Sequence, residues 1–367
     1  MSAKQETICG YEIADVRRAL RDAIDRREHR TAHRWTAEFV VTPGAVGSLW
    51  AACWLAWAAA AGGASPTLPI LLKQSWEKVA ESAHAYGGDW ESFRNDPRIR
   101  AEAAEIVTRL LGLPRQTPVV WPTKELVLYD VSMLQAAPVP APADGPAVMR
   151  VWQRGEDALE FRLMAGRWID ALERGDLRVA LSAVAWTMMP STLKENKCAE
   201  RGPAALTAKQ RSCPIWFWLE IGRALLLSKG ASLHRGWPTM HTAVAEAFRL
   251  HYKRWTAADR MRVLLAWILQ IRAACLPQPA SLWEAPALSL HYTEIDLPYK
   301  EIAAELAGPD SAITAGRPAA GGAGAAAKGP ATKPVDEKKA RMARAEAKMA
   351  DADAKIMALM GLSEDDV

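Results

Sequence analysis

The sequence predicts an all-α protein: a multi-helix bundle in two helical subdomains, followed by a disordered linker and a C-terminal helix. Three observations carry this. Apolar residues recur at intervals of three and four along most of the chain. The one strand-like run, PVVWP at 118–122, is flanked by prolines, which a sheet interior does not accept. Two stretches rich in Pro, Ala and Gly, at 136–146 and 308–334, separate the periodic regions.

In the first helix Ile13, Val16, Leu20 and Ile24 form one apolar stripe, with Arg17, Arg18, Arg21 and Asp22 off it. The stretch around 27–30 reads as a corner. A second helix turns Ala32, Trp35 and Phe39 inward. After Pro43 and Gly44 comes the uncharged run AVGSLWAACWLAWAAAA, which puts Trp50, Trp54 and Trp57 on one face of a third helix. No charge lies between Glu38 and Lys73, a length that spans a bilayer. Yet Pro43, Gly44, Gly47, Gly62, Gly63, Pro66 and Pro69 interrupt it, and its apolar core is mostly alanine. A fully buried helix is expected, with no membrane partner.

Residues 66–111 continue as helix. Asp96 and Pro97 form a start signal, an N-cap followed by Pro at the first helical position. Gly112 and Pro114 form a stop. The Pro/Ala-rich 136–146 stretch reads as an extended linker or long surface loop. It divides a first subdomain at 1–135 from a second at 147–307. Residues 156–190 return to helix and echo the beginning: Asp22-Ala-Ile-Asp-Arg aligns with Asp170-Ala-Leu-Glu-Arg at an offset of 148. Further helices are expected at 213–230, 239–252 and 257–276, with a Pro-rich surface stretch at 277–298. The 308–334 linker cannot bury enough apolar surface to order itself. In 335–367, Met342, Met349 and Ile356 are seven apart, as are Ala345, Ala352 and Leu359. That is a short heptad seam, expected to fold against a partner or its own copies.

The chain holds 16 Trp against 5 Phe and 6 Tyr, an excess that reads as packing of core and interfaces. Candidate protein-interface residues are therefore Trp50, Trp54, Trp57, Met342, Met349, Ile356 and Leu359. Five scattered cysteines without a C-x-x-C give neither a disulfide framework nor a zinc site, and the N-terminus is polar. A reducing, intracellular compartment, cytoplasmic or nuclear, is expected.

Signatures of chemistry are missing. There is no G-x-x-x-x-G-K-[ST], no G-x-S-x-G and no H-E-x-x-H. His29 and His33 stand at i, i+4 but among arginines that repel a cation, so a solvated or corner-capping role is expected. No catalytic residue, metal or cofactor is assigned, and a non-enzymatic protein is expected. Nucleic acid is a candidate partner: Arg17, Arg18, Arg21, Arg26, Arg27, Arg30 and Arg34, with Trp35 close by, make a phosphate and stacking surface. Asp15, Asp22, Asp25 and Glu28 dilute it, and a salt-bridged, solvated face is the competing reading.

The run 10–59 resembles the C-terminal collar region of RarA/MgsA-type AAA+ proteins, relatives of the clamp loaders, and stand-alone viral and phage proteins similar to it. The matching residues are Gly10-Tyr11, Ala19-Leu20, Ala23-Ile24, Arg26, Ala32, Trp35, Glu38 and Trp50. The family's I-A-S-E-D-(I/V)-G continuation is replaced by CWLAWAAAA, and the ATPase core that precedes the region in that family is not expected here. The resemblance implies an all-helical assembly surface associated with DNA replication or recombination machinery. It transfers neither ATP hydrolysis nor a catalytic residue. The function expected is a helical assembly or adaptor protein that self-associates or docks on such a complex. Direct nucleic-acid binding through the Arg-rich helix pair is the first alternative. A structural component packaged in a virus or phage particle is the second.

Overall fold

A computed structural model describes residues 5–61, 65–114, 119–136, 141–189, 197–230, 233–277, 283 and 292–307. Among these the protein is all-α. Extended backbone pairs only at two isolated bridges, Glu6 with Glu12 and Arg154 with Asp157. Helices α1 (Ile13–Asp25) and α2 (His29–Val41) form a hairpin over α3 (Val46–Ala61). The expected stripes face inward: Val16, Leu20 and Ile24 on α1, and Ala32, Trp35 and Phe39 on α2, are all buried. The corner is made by Arg27, which takes a left-handed φ of 57°.

The uncharged α3 is buried on nearly every side through Trp57, with α1, α2, α4 (Thr67–Ala85), α6 (Pro97–Leu111) and α14 (Ala257–Cys275) packed around it. That encirclement accounts for its composition, because a charge on any face would be stranded without water. No helix of the described residues is long and apolar enough to cross a membrane. Between α4 and α6 lies the short α5 (Trp90–Asn95). The start signal of α6 works as expected. Asp96 accepts the Arg98 backbone N–H at 2.8 Å and the Tyr86 hydroxyl at 2.8 Å. Hydrogen bonds from Arg98 hold its carboxyl down to about 2.

One local expectation holds and one is refined. Residues 119–123 form no strand, and α7 (Lys124–Ala136) follows directly. Trp121 instead anchors this segment by donating its indole N–H to the Met261 carbonyl at 3.3 Å. The 136–146 stretch is not extended throughout. Ala141–Asp144 makes a 3₁₀ turn that leads into α8 (Pro146–Val151). Ala143 is fully buried there against Gly166 of α9 (Leu159–Arg174), where an added Cβ would lie 2.6 Å from the Ala143 backbone. A small residue on each side lets turn and helix touch. Residues 308–334, and the helix expected in 335–367 with Met342, Met349, Ile356 and Leu359, lie outside the described residues.

The sequence echo coincides with shared corner geometry. At the same offset of 148, His29 at the start of α2 corresponds to Leu177 at the start of α10 (Leu177–Thr187). Arg27 corresponds to Gly175, whose φ of 76° is also left-handed. The chain then continues through α11 (Ala208–Arg211), α12 (Pro214–Lys229), α13 (Gly236–His251), α14 and α15 (Tyr292–Ala307).

Both sides of the 136–146 stretch share one hydrophobic core. Helix α13 packs on α4 and α14 on α3. Trp255 ties them further, its indole N–H donating to the Ala51 carbonyl at 3.3 Å. A second aromatic centre stacks Trp168 on Trp267 at 5.8 Å, with Trp218 tilted against Trp168 at 5.5 Å. Gly222 of α12 makes room for it: a Cβ there would meet the Trp267 ring at 2.2 Å. Gly222→Ala is therefore expected to lower stability by about 2 kcal/mol through overpacking. That outcome opposes the roughly 1 kcal/mol that alanine gains in an open helix. Urea unfolding decides, since a raised midpoint would mean the indole moves aside freely.

Candidate functional site

The turn that precedes α1 packs along α2, where Tyr11 meets Trp35 and Cys9 meets Glu38. Gly10 adopts a φ of 79°, a conformation that favours glycine, and turns Tyr11 edge-on to Trp35 at 5.4 Å. Glu38 is fully buried one turn further on. It accepts the Cys9 backbone N–H at 3.2 Å and the Arg34 guanidinium at 2.7 Å. Burial, then the neighbouring Glu38 charge, pushes the Cys9 thiol up to about 12.

Onto this corner sits α15, packed against α2 and α6. Its apolar side is Ile295, Tyr299 and Ile302, at i, i+4 and i+7, of which Tyr299 and Ile302 are buried. Carboxylates frame that stripe. Glu301 pairs with Arg30 at 2.5 Å, Glu305 with Arg34 at 2.5 Å and Asp296 with Arg100 at 3.2 Å. Arg100 also lies over the Tyr299 ring at 4.2 Å. The Tyr11 hydroxyl donates to Glu305 at 3.0 Å. Burial and then that carboxylate raise the Tyr11 phenol to about 12. Arg34 thus bridges an inner and an outer carboxylate. Burial works to lower its pKa, but Glu38 and Glu305 outweigh this and keep the guanidinium charged.

The seven arginines proposed for phosphate do not form one free surface. Arg17 donates to the Arg254 carbonyl at 3.0 Å, and Arg18 pairs with Asp15 at 3.8 Å. Arg21 is mostly buried beside Asp259 at 3.4 Å, and burial pulls its pKa down. Arg27 donates to the Leu113 carbonyl at 2.8 Å. Arg30 and Arg34 hold α15. Arg26, Arg27 and Arg30 are exposed at the hairpin corner. The mixed-sign face is thus largely spent on internal pairs, as an alternating charge pattern allows.

The tryptophans expected at an assembly surface are corrected outright. Trp50, Trp54 and Trp57 are at most 2% exposed and pack inside the chain itself. A helix apolar all round is satisfied by neighbouring helices, so its aromatic face is no guide to an outer surface. His33 shares a hydrogen bond with Thr108 at 3.2 Å, while His29 is exposed. Among the described residues no three of His, Cys, Asp and Glu gather as metal ligands.

Sequence reasoning missed Asp296, Tyr299, Glu301 and Glu305. Their signal was legible: an apolar i, i+4, i+7 stripe with acids beside it. The preceding prolines and Pro298 inside the helix masked the pattern. No protein-family model matches this chain, and no curated protein or solved structure matches it either.

Proposed function

We propose that the chain is a non-enzymatic helical assembly or adaptor protein, working beside a DNA replication or recombination complex. The observation that carries this reading is the seating of α15. The collar-like hairpin, with α6, receives a separate acidic helix through an apolar stripe framed by ion pairs. That is the helix-in-groove mode by which adaptors bind. The link to replication or recombination rests on the resemblance of residues 10–59. Light scattering together with mass spectrometry of what co-purifies with the native chain tests the proposal. Self-association or a stoichiometric protein partner is expected. A strict monomer from which no protein co-purifies would sink it.

Direct nucleic-acid binding is the second reading, favoured by the exposed Arg26, Arg27 and Arg30 at the hairpin corner. Because Arg17, Arg18, Arg21, Arg27, Arg30 and Arg34 all have partners within the chain, DNA and RNA titrations at two salt concentrations are expected to show only weak binding. Tight affinity that falls steeply with salt would reverse the order of the two readings.

A further inference from the structure

The geometry points to the α2–α6 groove as an exchangeable docking site, which takes the α15 of a second copy of this chain in place of its own. This deepens the assembly reading and rests on it. Four observations lead there.

First, the groove's chemistry is defined by its occupant. It accepts an apolar stripe of Ile295, Tyr299 and Ile302 and places Arg30, Arg34 and Arg100 against Glu301, Glu305 and Asp296. A sugar–phosphate backbone would satisfy the arginines and leave the apolar seat uncovered, so a helix fits better than nucleic acid. Every copy of the chain carries both halves of the match.

Second, the contact is suited to exchange. Arg30 is 80% exposed and Asp296 58% exposed, so their ion pairs hold weakly in water. Tyr299 and Ile302 are the main buried apolar anchors.

Third, departure of α15 strands no buried charge. Glu38, the fully buried carboxylate at the site, keeps both Arg34 and the Cys9 N–H when Glu305 leaves.

Fourth, the chain has reach. Trp283 is anchored by stacking on His234 at 4.3 Å and edge-on to Trp237 at 4.8 Å. The eight residues 284–291 then separate it from Tyr292. Eight residues of chain reach at most about 30 Å, which sets the distance from the Trp283 anchor within which a second copy's groove must lie. Reciprocal exchange between two copies preserves each contact and closes as a two-fold dimer.

The test uses the full chain and a variant carrying Asp296→Lys, Glu301→Lys and Glu305→Lys. Light scattering over a concentration series is expected to show the wild type rising toward twice its monomer mass, while the variant stays monomeric. A labelled synthetic peptide of residues 292–307 is expected to bind the variant at least tenfold tighter than the wild type, whose own α15 competes. Ile302→Asp, which removes the apolar anchor and leaves the charges, should behave like the triple variant in both measurements. A dimer that survives both changes overturns the exchange and leaves the assembly reading standing. A wild type that is monomeric at every concentration overturns the exchange, and so does a peptide that binds wild type and variants equally. The assembly reading is then decided separately by what co-purifies. Preferential binding of duplex DNA over the peptide by the variants overturns the helix assignment of the groove.

Discussion

Lowering the pH from 7 to 5 is expected to destabilise the protein by about 4 kcal/mol, through two buried histidines. Burial, then the nearby Arg223 charge, lowers His241 to about 4. Burial and the nearby Arg254 charge lower His251 to about 3. An unfolded histidine titrates near 6.5. Below that value the unfolded chain takes up protons that the folded chain refuses. Stability is therefore complete above about 6.5 and is lost as the pH falls toward the folded values. Each site contributes about 2 kcal/mol at pH 5.

The two sites differ in what protonation breaks. The Nδ1 of His241 accepts the Trp267 indole N–H at 3.1 Å, so a proton there removes a bond from the aromatic centre. His251 lies between Trp76 and Trp255, and its ring nitrogens have no hydrogen-bond partner among the described residues. His251→Phe loses no such bond and is expected to remove about half of the pH slope between 7 and 5. Asp96 acts in a different window, since the stability that its lowered pKa contributes is lost only as the pH falls from the ordinary carboxylate range toward about 2. Urea unfolding at a series of pH values measures all of this. A midpoint that does not move between pH 7 and 5 would show that neither ring is neutral for the reason given.

Arg201→Ala is expected to cost about 4 kcal/mol, because it strands a buried carboxylate. The Arg201 side chain is 2% exposed and that of Asp157 is 0% exposed. The guanidinium donates to both Asp157 oxygens, one at 2.8 Å, to Glu220 at 2.9 Å and to the Val151 carbonyl at 3.1 Å. Asp157 in turn accepts the backbone N–H of Gln153 and of Ala199, each at 2.8 Å. The cluster therefore fastens the end of α8, the segment at 197–201 and α12 to one another. The paired change Arg201→Met with Asp157→Leu should recover only part of the loss, since it removes the stranded charge but leaves the Gln153 and Ala199 N–H groups without their acceptor. A double-mutant cycle with no coupling between the two positions would show that each acts through other partners.

Much of the architecture was legible in the sequence because helical periodicity is local. The stripes of α1 and α2, the charge-free α3 and the Asp96 start signal could each be read within one or two turns of chain. The site was less legible because its parts are far apart in sequence. Arg30 and Arg34 meet Glu301 and Glu305 across some 270 residues, and nothing in either segment names the other. The same charges that suggested a phosphate surface find their partners inside the chain. The tryptophans misled for a related reason: a stripe shows which face is covered, and only the tertiary structure shows by what. The turn at 141–144 was hidden by composition, since alanines and prolines that suit an extended linker also suit a tight turn against a glycine.

The encirclement of α3 has a consequence for the order in which the protein is made. About 200 residues separate the end of α3 from the start of α14, one of the helices that cover it. At 5–20 residues per second, synthesis of that length takes about 10–40 s. Throughout that interval a stretch with three tryptophans and no charge leaves the ribosome ahead of part of its cover. In the finished molecule α3 is the safest segment from water. In the nascent chain it is the segment most exposed to capture by chaperones or to aggregation.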